Sequence, residues 1–575
     1  MSPDPITMEI VRNGLNAIAE EMNANLARSA FSPIIYEMKD CSVAIFNEDC
    51  DLLGQAPGLP IFLGALAPAV RAVKEHFLKS GIHEGDIYAL NDPYLVGSHL
   101  NDVTVVSPVF LDDELVGFTA NKAHWLDMGS KDAGVSVDTT EIYQEGLRFG
   151  PIRLYESGDE QKDILDILAR NSRLPRSVLG DLHAQIAACR MGERRYQEFL
   201  SSFGLDTVRT CTKEIFLQAE ASDRAFVKSI PDGIYTAMGY MDSDGSDEEP
   251  VKIEVEVTIR DTEMHLDLSG SSPQRKGCTN CGIAQTISAA QLAYKFLVNP
   301  EQTPNGGNFR ALSVTAPEGS IFSAQEPAAC DFYASPSGLM IELTLKALSQ
   351  AITDRIPAGG PHDQMNFIVA GRDSNDTLFI TGEASAVGWG ALPNADGSNA
   401  TVCYMAGDLK NIPAEVEEAK YPLRVNCRAL EADSGGPGRF RGGLAMIKEY
   451  EAVAPGISLL LWLERTVTPG WGVAGGKAGQ TARCIWDLGG SDERTMTKAN
   501  HFPLPVGKSI RCHTAGGGGY GPPWERDTQN IIDDVIDGYV TREAAEVEYG
   551  LRWVDGGVAI DEHATKEARH TLAKS

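Results

Sequence analysis

The sequence predicts a mixed α/β (α+β) fold of several domains that closes in a β-rich module punctuated by glycine. Three stretches carry this expectation. Between residues 5 and 29, Ile6, Ile10, Val11, Leu15, Ile18, Met22 and Leu26 recur near the 3.6-residue helical period. Val251, Ile253, Val255, Val257 and Ile259 alternate strictly with polar residues, as a half-buried strand does. Beyond about residue 430, glycine pairs at 435–436, 442–443 and 475–476 and a run at 516–519 interrupt short apolar stretches such as 457–463.

Taken in order, the first helix has Pro5 at a helix-start position. Residues 41–53 (CSVAIFNEDCDLL) read as a hairpin, 66–78 as a helix and 86–90 as a short strand. The apolar runs 103–110 and 115–121 flank the acidic pair Asp112-Asp113 and form a second hairpin. Residues 160–228 are mostly helical, and further helices are expected at about 283–298, 338–354 and 531–549. The divisions expected are an N-terminal α/β domain at 1–205, a central α/β domain at 206–430 and the C-terminal module at 431–575.

Of 575 residues, 43% are hydrophobic and 23% charged, the balance of a globular chain. Fifty Lys and Arg against eighty Asp and Glu leave a net charge of −30, which repels nucleic-acid backbones and anionic lipid headgroups. The opening MSPDPIT carries no basic region before an apolar core, and no apolar run reaches the roughly eighteen residues of a membrane span. The expectation is a cytoplasmic protein without nucleic-acid or membrane partners. Its eleven scattered cysteines fit reduced thiols better than a disulfide framework, and Cys278-Thr-Asn-Cys281 fits buried thiols better than a zinc or redox site.

The informative segments are NDPYLVGSHLNDVTVV at 91–106 and NKAHWLD at 121–127. A turn centred on Asp112 and Asp113 pairs positions summing to 225 or 226, so Asp102 lies opposite Ala123 or His124. His99 enters the same end of the hairpin. Two imidazoles and a carboxylate there form a ligand set that zinc or manganese accepts, with a fourth ligand available from Glu37 or Asp40 in IIYEMKDCS. Asp92 and Asp127 are the expected partners of the imidazole N–H groups. No GxxxxGK[ST] loop occurs, and the GxGxxG at 516–521 is expected to be a turn packed on the N-terminal domain.

At these residues the chain resembles the hydantoinase B, or N-methylhydantoinase/oxoprolinase B, family, whose relatives include acetone and acetophenone carboxylase subunits. The resemblance runs from DPITMEIVRNGLNAIAEEM through TEIYQEGLR, LSGSSPQRKG, NGGNFRALSVTAPEGSI and DSGGPGRFRGG to GGGGYGPPWERD. It implies the metal-containing B subunit of an ATP-dependent cyclic-amide hydrolase acting on hydantoin, oxoproline or lactam rings. The implied partner is a hydantoinase A-type subunit that binds Mg-ATP and phosphorylates the substrate, in an A2B2 heterotetramer. It also implies metal ligands at His99, Asp102 and His124 with Asp40 favoured over Glu37 as the acidic ligand, and whichever of Glu37 and Asp40 is not a ligand is the expected proton-transfer group. Where relatives often carry a second histidine, Trp125 stands here, an expected change in pocket shape. The alternatives are a ketone carboxylase subunit and a non-catalytic scaffold for the ATPase.

Overall fold

A computed structural model of the chain describes residues 3–360, 362, 365–407, 409–554 and 557–574. The first helix, α1 (Pro5–Ser29), starts where Asp4 accepts a hydrogen bond from the Thr7 amide and Pro5 needs no N–H partner. Its buried stripe is Met8, Val11, Leu15, Ile18, Ala19, Met22 and Leu26, whereas Ile6 and Ile10, expected in that stripe, face outward. The short α2 (Pro33–Tyr36) leads into β1 (Cys41–Asn47) and β2 (Leu52–Gln55), the predicted first hairpin. Helix α3 (Pro60–Phe77) begins six residues before the apolar period suggested, because Pro60 opens it with Ile61 and Phe62 already buried.

Strand β3 (Ile87–Leu90) and the brief α4 (Pro93–Val96) precede β4 (Asp102–Leu111) and β5 (Glu114–His124). Their two-residue turn has Asp112 and Asp113 at φ 49° and 66°, the left-handed pair that matches the twist of a tight hairpin. With β6 (Ile152–Glu156) and β7 (Asp159–Glu160), these strands build a seven-stranded antiparallel sheet in the order β2-β1-β5-β4-β3-β6-β7. Helix α5 (Lys162–Arg170) is followed by α6 (Pro175–Phe203), whose Val178, Leu182, Ile186 and Cys189 cover one sheet face over Val103 and Val105. Leu66, Ala69, Val70 and Val73 of α3 cover the other over Val106, Phe118 and Ala120. The central hairpin is therefore buried on both faces, which explains its near-continuous apolar sequence.

Helix α7 (Leu205–Val227) leads to β8 (Gly233–Met241), β9 (Val251–Arg260) and β10 (Glu263–Asp267), which with β11 (Leu312–Thr315) form a four-stranded sheet. The alternation read at residues 251–259 is realised in β9, whose five apolar side chains are all buried. Helices α8 (Ile283–Lys295) and α9 (Ala334–Leu348) pack against one another and join the core of α1 and β9.

Strands β12 (Met365–Arg372), β13 (Leu378–Ser385) and, after α10 (Ala414–Lys420), β14 (Leu423–Leu430) come next. They are followed by β15 (Met446–Ala452), β16 (Ile457–Trp462), β17 (Arg483–Trp486), β18 (Arg494–Met496), β19 (Lys498–Leu504) and β20 (Ser509–His513). They form two sheets, β13-β12-β16-β19 and β14-β15-β20-β17-β18, which share a core of Phe367, Leu459, Leu461, Tyr450, Trp486 and Ile510. Strands from either side of residue 430 thus hydrogen-bond within the same sheets.

The run Gly516–Gly519 does not reach the N-terminal sheet. It threads between other extended glycine segments: Gly517 donates to the Gly443 carbonyl and accepts from the Gly436 amide, while Gly518 donates to Gly359 and accepts from Ala391. A Cβ on Gly517 would sit 1.9 Å from the Trp389 carbonyl oxygen, so only glycine permits backbones to approach this closely.

The predicted closing helix at 531–549 is two helices, α11 (Thr528–Ile536) and α12 (Arg542–Val547), interrupted where Gly538 turns left-handed at φ 76°, and α13 (Glu562–Leu572) follows. Cys278 and Cys281 are buried free thiols. The expectation of reduced thiols fails at one pair, Cys484 and Cys512, which lie directly opposite in β17 and β20 and are joined as a disulfide.

Candidate metal centre

The two ends of the β4–β5 hairpin converge as its register dictates. Pairs sum to 226 from Asp102↔His124 to Val109↔Gly117 and to 225 at Phe110↔Leu115, with Val116 as the extra residue of a bulge. Asp102, the first residue of β4, thus faces His124, the last of β5. His99 arrives from α4, where Asp92 caps the first turn by accepting from the Tyr94 amide. Gly97 and Ser98 then turn the chain through positive φ, 56° and 95°. Buried Lys122 holds that turn by donating to the Gly97 carbonyl at 3.2 Å and to Ser98 Oγ at 3.0 Å.

His99 Nε2 and His124 Nδ1 each lie 3.1 Å from Asp102 Oδ1 and 3.0 Å from one another. Among the described residues this is the one grouping of three His, Cys, Asp or Glu side chains whose ligand atoms all fall within 4.8 Å. The other His99 nitrogen, Nδ1, lies 3.0 Å from the backbone carbonyl of Asp331. A carbonyl only accepts, so Nδ1 carries the proton and a neutral His99 presents its Nε2 lone pair to Asp102. Acceptor atoms this close require positive charge among them, either a proton or a cation. The residues therefore fit a divalent metal: two borderline nitrogens, one carboxylate and an outer hydrogen bond that fixes the ligating tautomer.

The acidic candidates separate in space. Asp40 follows α2, its carbonyl accepts the His124 amide at 3.1 Å, and its fully buried Oδ1 has no hydrogen-bond partner. Burial pushes the Asp40 carboxyl up to about 7, against the pull of His124 and with the push of the Asp102 charge. Burial acts on Asp102 in the same direction, but the His99 and His124 imidazoles outweigh it and hold that carboxyl well below the usual range. Glu37 ends α2, half exposed, and is not among the residues lining the cavity described next.

Asp40, His99, Asp102 and His124 lie at the polar end of a cavity of about 110 Å³ whose walls include Ile34, Leu59, Phe62, Leu126, Phe332 and Met405. Asn366, Ile368, Ile380 and Ala384 of β12 and β13 complete it, so the site lies between the N-terminal sheet and the first sheet of the C-terminal half.

Several sequence-based placements are corrected. Asp92 serves α4 and lies 3.8 Å from Arg148, and Asp127 pairs with Arg173 at 2.8 Å, so neither bonds an imidazole. Trp125 does not shape the pocket. Side chains alternate across a strand, so it points opposite to His124, packs beneath α6 and donates to Gln185 Oε1 at 2.8 Å.

The partners that do support the cluster were missed. Asp331 supplies the carbonyl for His99, and the Tyr333 hydroxyl donates to Asp102 Oδ2 at 3.1 Å. Burial, with Asp102 and Asp40 adding to it, raises the Tyr333 phenol, and burial together with the Glu145 charge raises the Asp331 carboxyl well above its ordinary range. Only their polar character within an apolar stretch, ACDFYASPS at 329–337, marks them in the sequence.

Fold and site together define an α+β protein with a histidine–carboxylate cluster in a largely apolar cavity. The chain belongs to the hydantoinase B/oxoprolinase family, whose model matches residues 4–523. It is 32% identical to the putative B subunit of a D-/L-hydantoinase from Pseudomonas sp. (strain NS671), over 98% of each chain. It is also 32% identical to the beta subunit of the caprolactamase of Pseudomonas jessenii, over 98% of this chain and 99% of that one. The crystal structure of the ATP-dependent caprolactamase from Pseudomonas jessenii superposes with a TM-score of 0.92 at 30% identity, covering 99% of this chain and 100% of the other. A nucleotide-free acetone carboxylase superposes with a TM-score of 0.89 at 20% identity over 99% of this chain and 83% of that one, a likeness of fold. No helix among the described residues is long and apolar enough to cross a membrane.

Proposed function

We propose that this chain is the metal-containing B subunit of an ATP-dependent cyclic-amide hydrolase, completing the opening of a hydantoin, oxoproline or lactam ring that a partner A subunit has phosphorylated. The observation that carries the reading is the convergence of His99 Nε2, His124 Nδ1 and Asp102 Oδ1 in the cavity. The two full-length relatives at 32% identity are named as a hydantoinase subunit and a caprolactamase subunit, which favours ring opening over ketone carboxylation. Their names also support a partner subunit, which here is an A-type ATPase binding Mg-ATP in an A2B2 assembly. The reading places the protein in the cytoplasm.

His99, Asp102 and His124 would hold zinc or manganese, with Asp40 as the fourth ligand. Bound there, such an ion supplies Lewis acidity to an amide-derived carbonyl or to water. The chain's own groups do the rest. The Asp331 carbonyl keeps the proton on His99 Nδ1, and Tyr333 holds Asp102 by its second oxygen. The apolar walls lower the local dielectric, which strengthens charge interactions inside. Asp40, when not a ligand, is the group in the cavity able to take up and return a proton near neutral pH.

The test is ATP consumption by the chain co-purified with its A-type partner, with hydantoins, 5-oxoproline, caprolactam, and ketones plus bicarbonate, alongside metal analysis. Ring-dependent ATP turnover with an amino-acid product, and loss of both metal and turnover in His124→Ala, is the expected result. Turnover only with ketone and bicarbonate overturns the hydrolase reading; unchanged metal content in His99→Ala and His124→Ala overturns the metal site.

A further inference from the structure

The two groups that steady the cluster from behind, the Asp331 carbonyl and the Tyr333 hydroxyl, come from one short segment, and that segment has no regular secondary structure until α9 begins. Its position depends on what holds it. The Ile142 amide donates to the Pro327 carbonyl at 2.9 Å, and the Tyr94 hydroxyl donates to the Ala328 carbonyl at 2.6 Å. Nearer the site the Asn280 side-chain amide donates to the Ala329 carbonyl at 2.8 Å, the Ser136 amide to Asp331 Oδ2 at 3.0 Å, and the Phe332 amide to the Cys278 carbonyl at 2.9 Å, while the Cys330 and Asp331 amides are both held by one side chain, Glu145. Its Oε1 accepts from the Cys330 amide at 2.8 Å, the Asp331 amide at 3.0 Å and Thr139 Oγ1 at 2.9 Å, while Oε2 accepts from the Cys330 amide at 3.0 Å.

Glu145 is wholly buried, faces no solvent and does not line the cavity. A buried carboxylate without a pairing cation is costly, and one kept for two consecutive backbone amides has a geometric task. The amides it binds fix the peptide plane that precedes Asp331, and the next plane, which carries the Asp331 carbonyl toward His99, is held at its other end by the bond from the Phe332 amide to Cys278.

We propose that Glu145 is a positioning residue for the metal centre: by clamping the Cys330 and Asp331 amides it sets the Asp331 carbonyl against His99 Nδ1, and so aims the His99 Nε2 lone pair at Asp102 and His124. The proposal rests on the reading of His99 as a metal ligand. The clamp works through the backbone and touches neither substrate nor ion. Glu145→Gln keeps the shape but turns an NH2 group toward amide donors, so one of the bonds must open. Outer partners of metal-ligating histidines are worth about 10- to 100-fold in affinity.

The experiment uses the full chain with its partner subunit, loaded with zinc in competition with a chromophoric chelator and, separately, with cobalt(II) for its visible absorption. The expected result is that Glu145→Gln binds zinc about 10- to 100-fold more weakly than the wild type and shows a shifted cobalt band, while its thermal transition stays cooperative. Thr139→Val, which removes a single bond to Glu145, is the milder variant that decides the matter if Glu145→Gln does not fold. It is expected to weaken binding in the same direction by a smaller factor. A wild type that binds metal, beside variants with the same affinity and spectrum, overturns the clamp and leaves the metal site standing. A wild type that binds no stoichiometric metal overturns both.

Discussion

Replacing Gly517 with alanine is expected to destabilise the protein far more than a single methyl group ordinarily does. The new Cβ would lie 1.9 Å from the Trp389 carbonyl oxygen, 2.2 Å from its carbon and 2.6 Å from the Gly390 amide nitrogen, against an ordinary contact beginning at 3.4 Å. All three are backbone atoms, so no side chain can swing aside. Relief requires the segments to part by about 1.5 Å, the difference between 3.4 and 1.9 Å. The hydrogen bonds from Gly517 to Gly443 at 3.1 Å and from Gly436 to Gly517 at 2.8 Å do not survive that displacement. Each buried backbone group left without a partner costs about 1–3 kcal/mol, while alanine restricts the unfolded chain and returns about 0.4–1 kcal/mol. Two broken bonds leave four such groups, so the net cost is about 3 kcal/mol or more. Thermal and denaturant unfolding of Gly517→Ala should show it. Gly557→Ala is the control: a Cβ there meets nothing within 4 Å, and its effect should stay within about 0.5 kcal/mol. A Gly517→Ala protein as stable as the Gly557→Ala control would refute the account of the glycine segments.

Two further outcomes follow from the hairpin. Burial pushes Lys122 down to about 8 from 10.5, so between these values the unfolded chain keeps a proton that the folded chain has released. Stability therefore rises with pH through that window, by about 3 kcal/mol at most, and Lys122→Met should flatten the rise in denaturation midpoints measured from about pH 7.5 to about pH 10. Parallel pH profiles for the two proteins would count against it. Trp125→Phe leaves Gln185 Oε1 without its 2.8 Å donor and a smaller ring in a filled core, for a loss of about 2–4 kcal/mol. Because Trp125 faces away from the cavity, kcat per folded molecule should not change; a large fall in kcat would place it at the site after all.

The sequence revealed the hairpin and its opposed ends because turn chemistry and strand periodicity are local, and the two candidate registers differed by the single bulged residue Val116. It did not reveal Asp331 and Tyr333, which stand 232 and 231 positions from the residues they support. Such contacts depend on how α9 docks, and no spacing rule reports that. Asp92 and Asp127 were misassigned for the complementary reason. They neighbour the histidines along the chain, yet one is consumed by a helix cap and the other by Arg173. The exposure of Ile6 and Ile10 shows the same limit on a helix, where periodicity marks an apolar face without fixing its width. The family resemblance, by contrast, rested on long ordered motifs, and its extent agrees with the match over residues 4–523.

The distance between the cluster and its anchors also orders events in time. His99, Asp102 and His124 are complete once the first 124 residues have emerged, whereas Asp331, Tyr333 and the β12–β13 wall come more than 200 residues later. At about 5–20 residues per second, translation leaves on the order of 10–40 s during which the hairpin is exposed and the cavity has no roof. The cavity wall is completed only when β12 and β13 dock beside the hairpin.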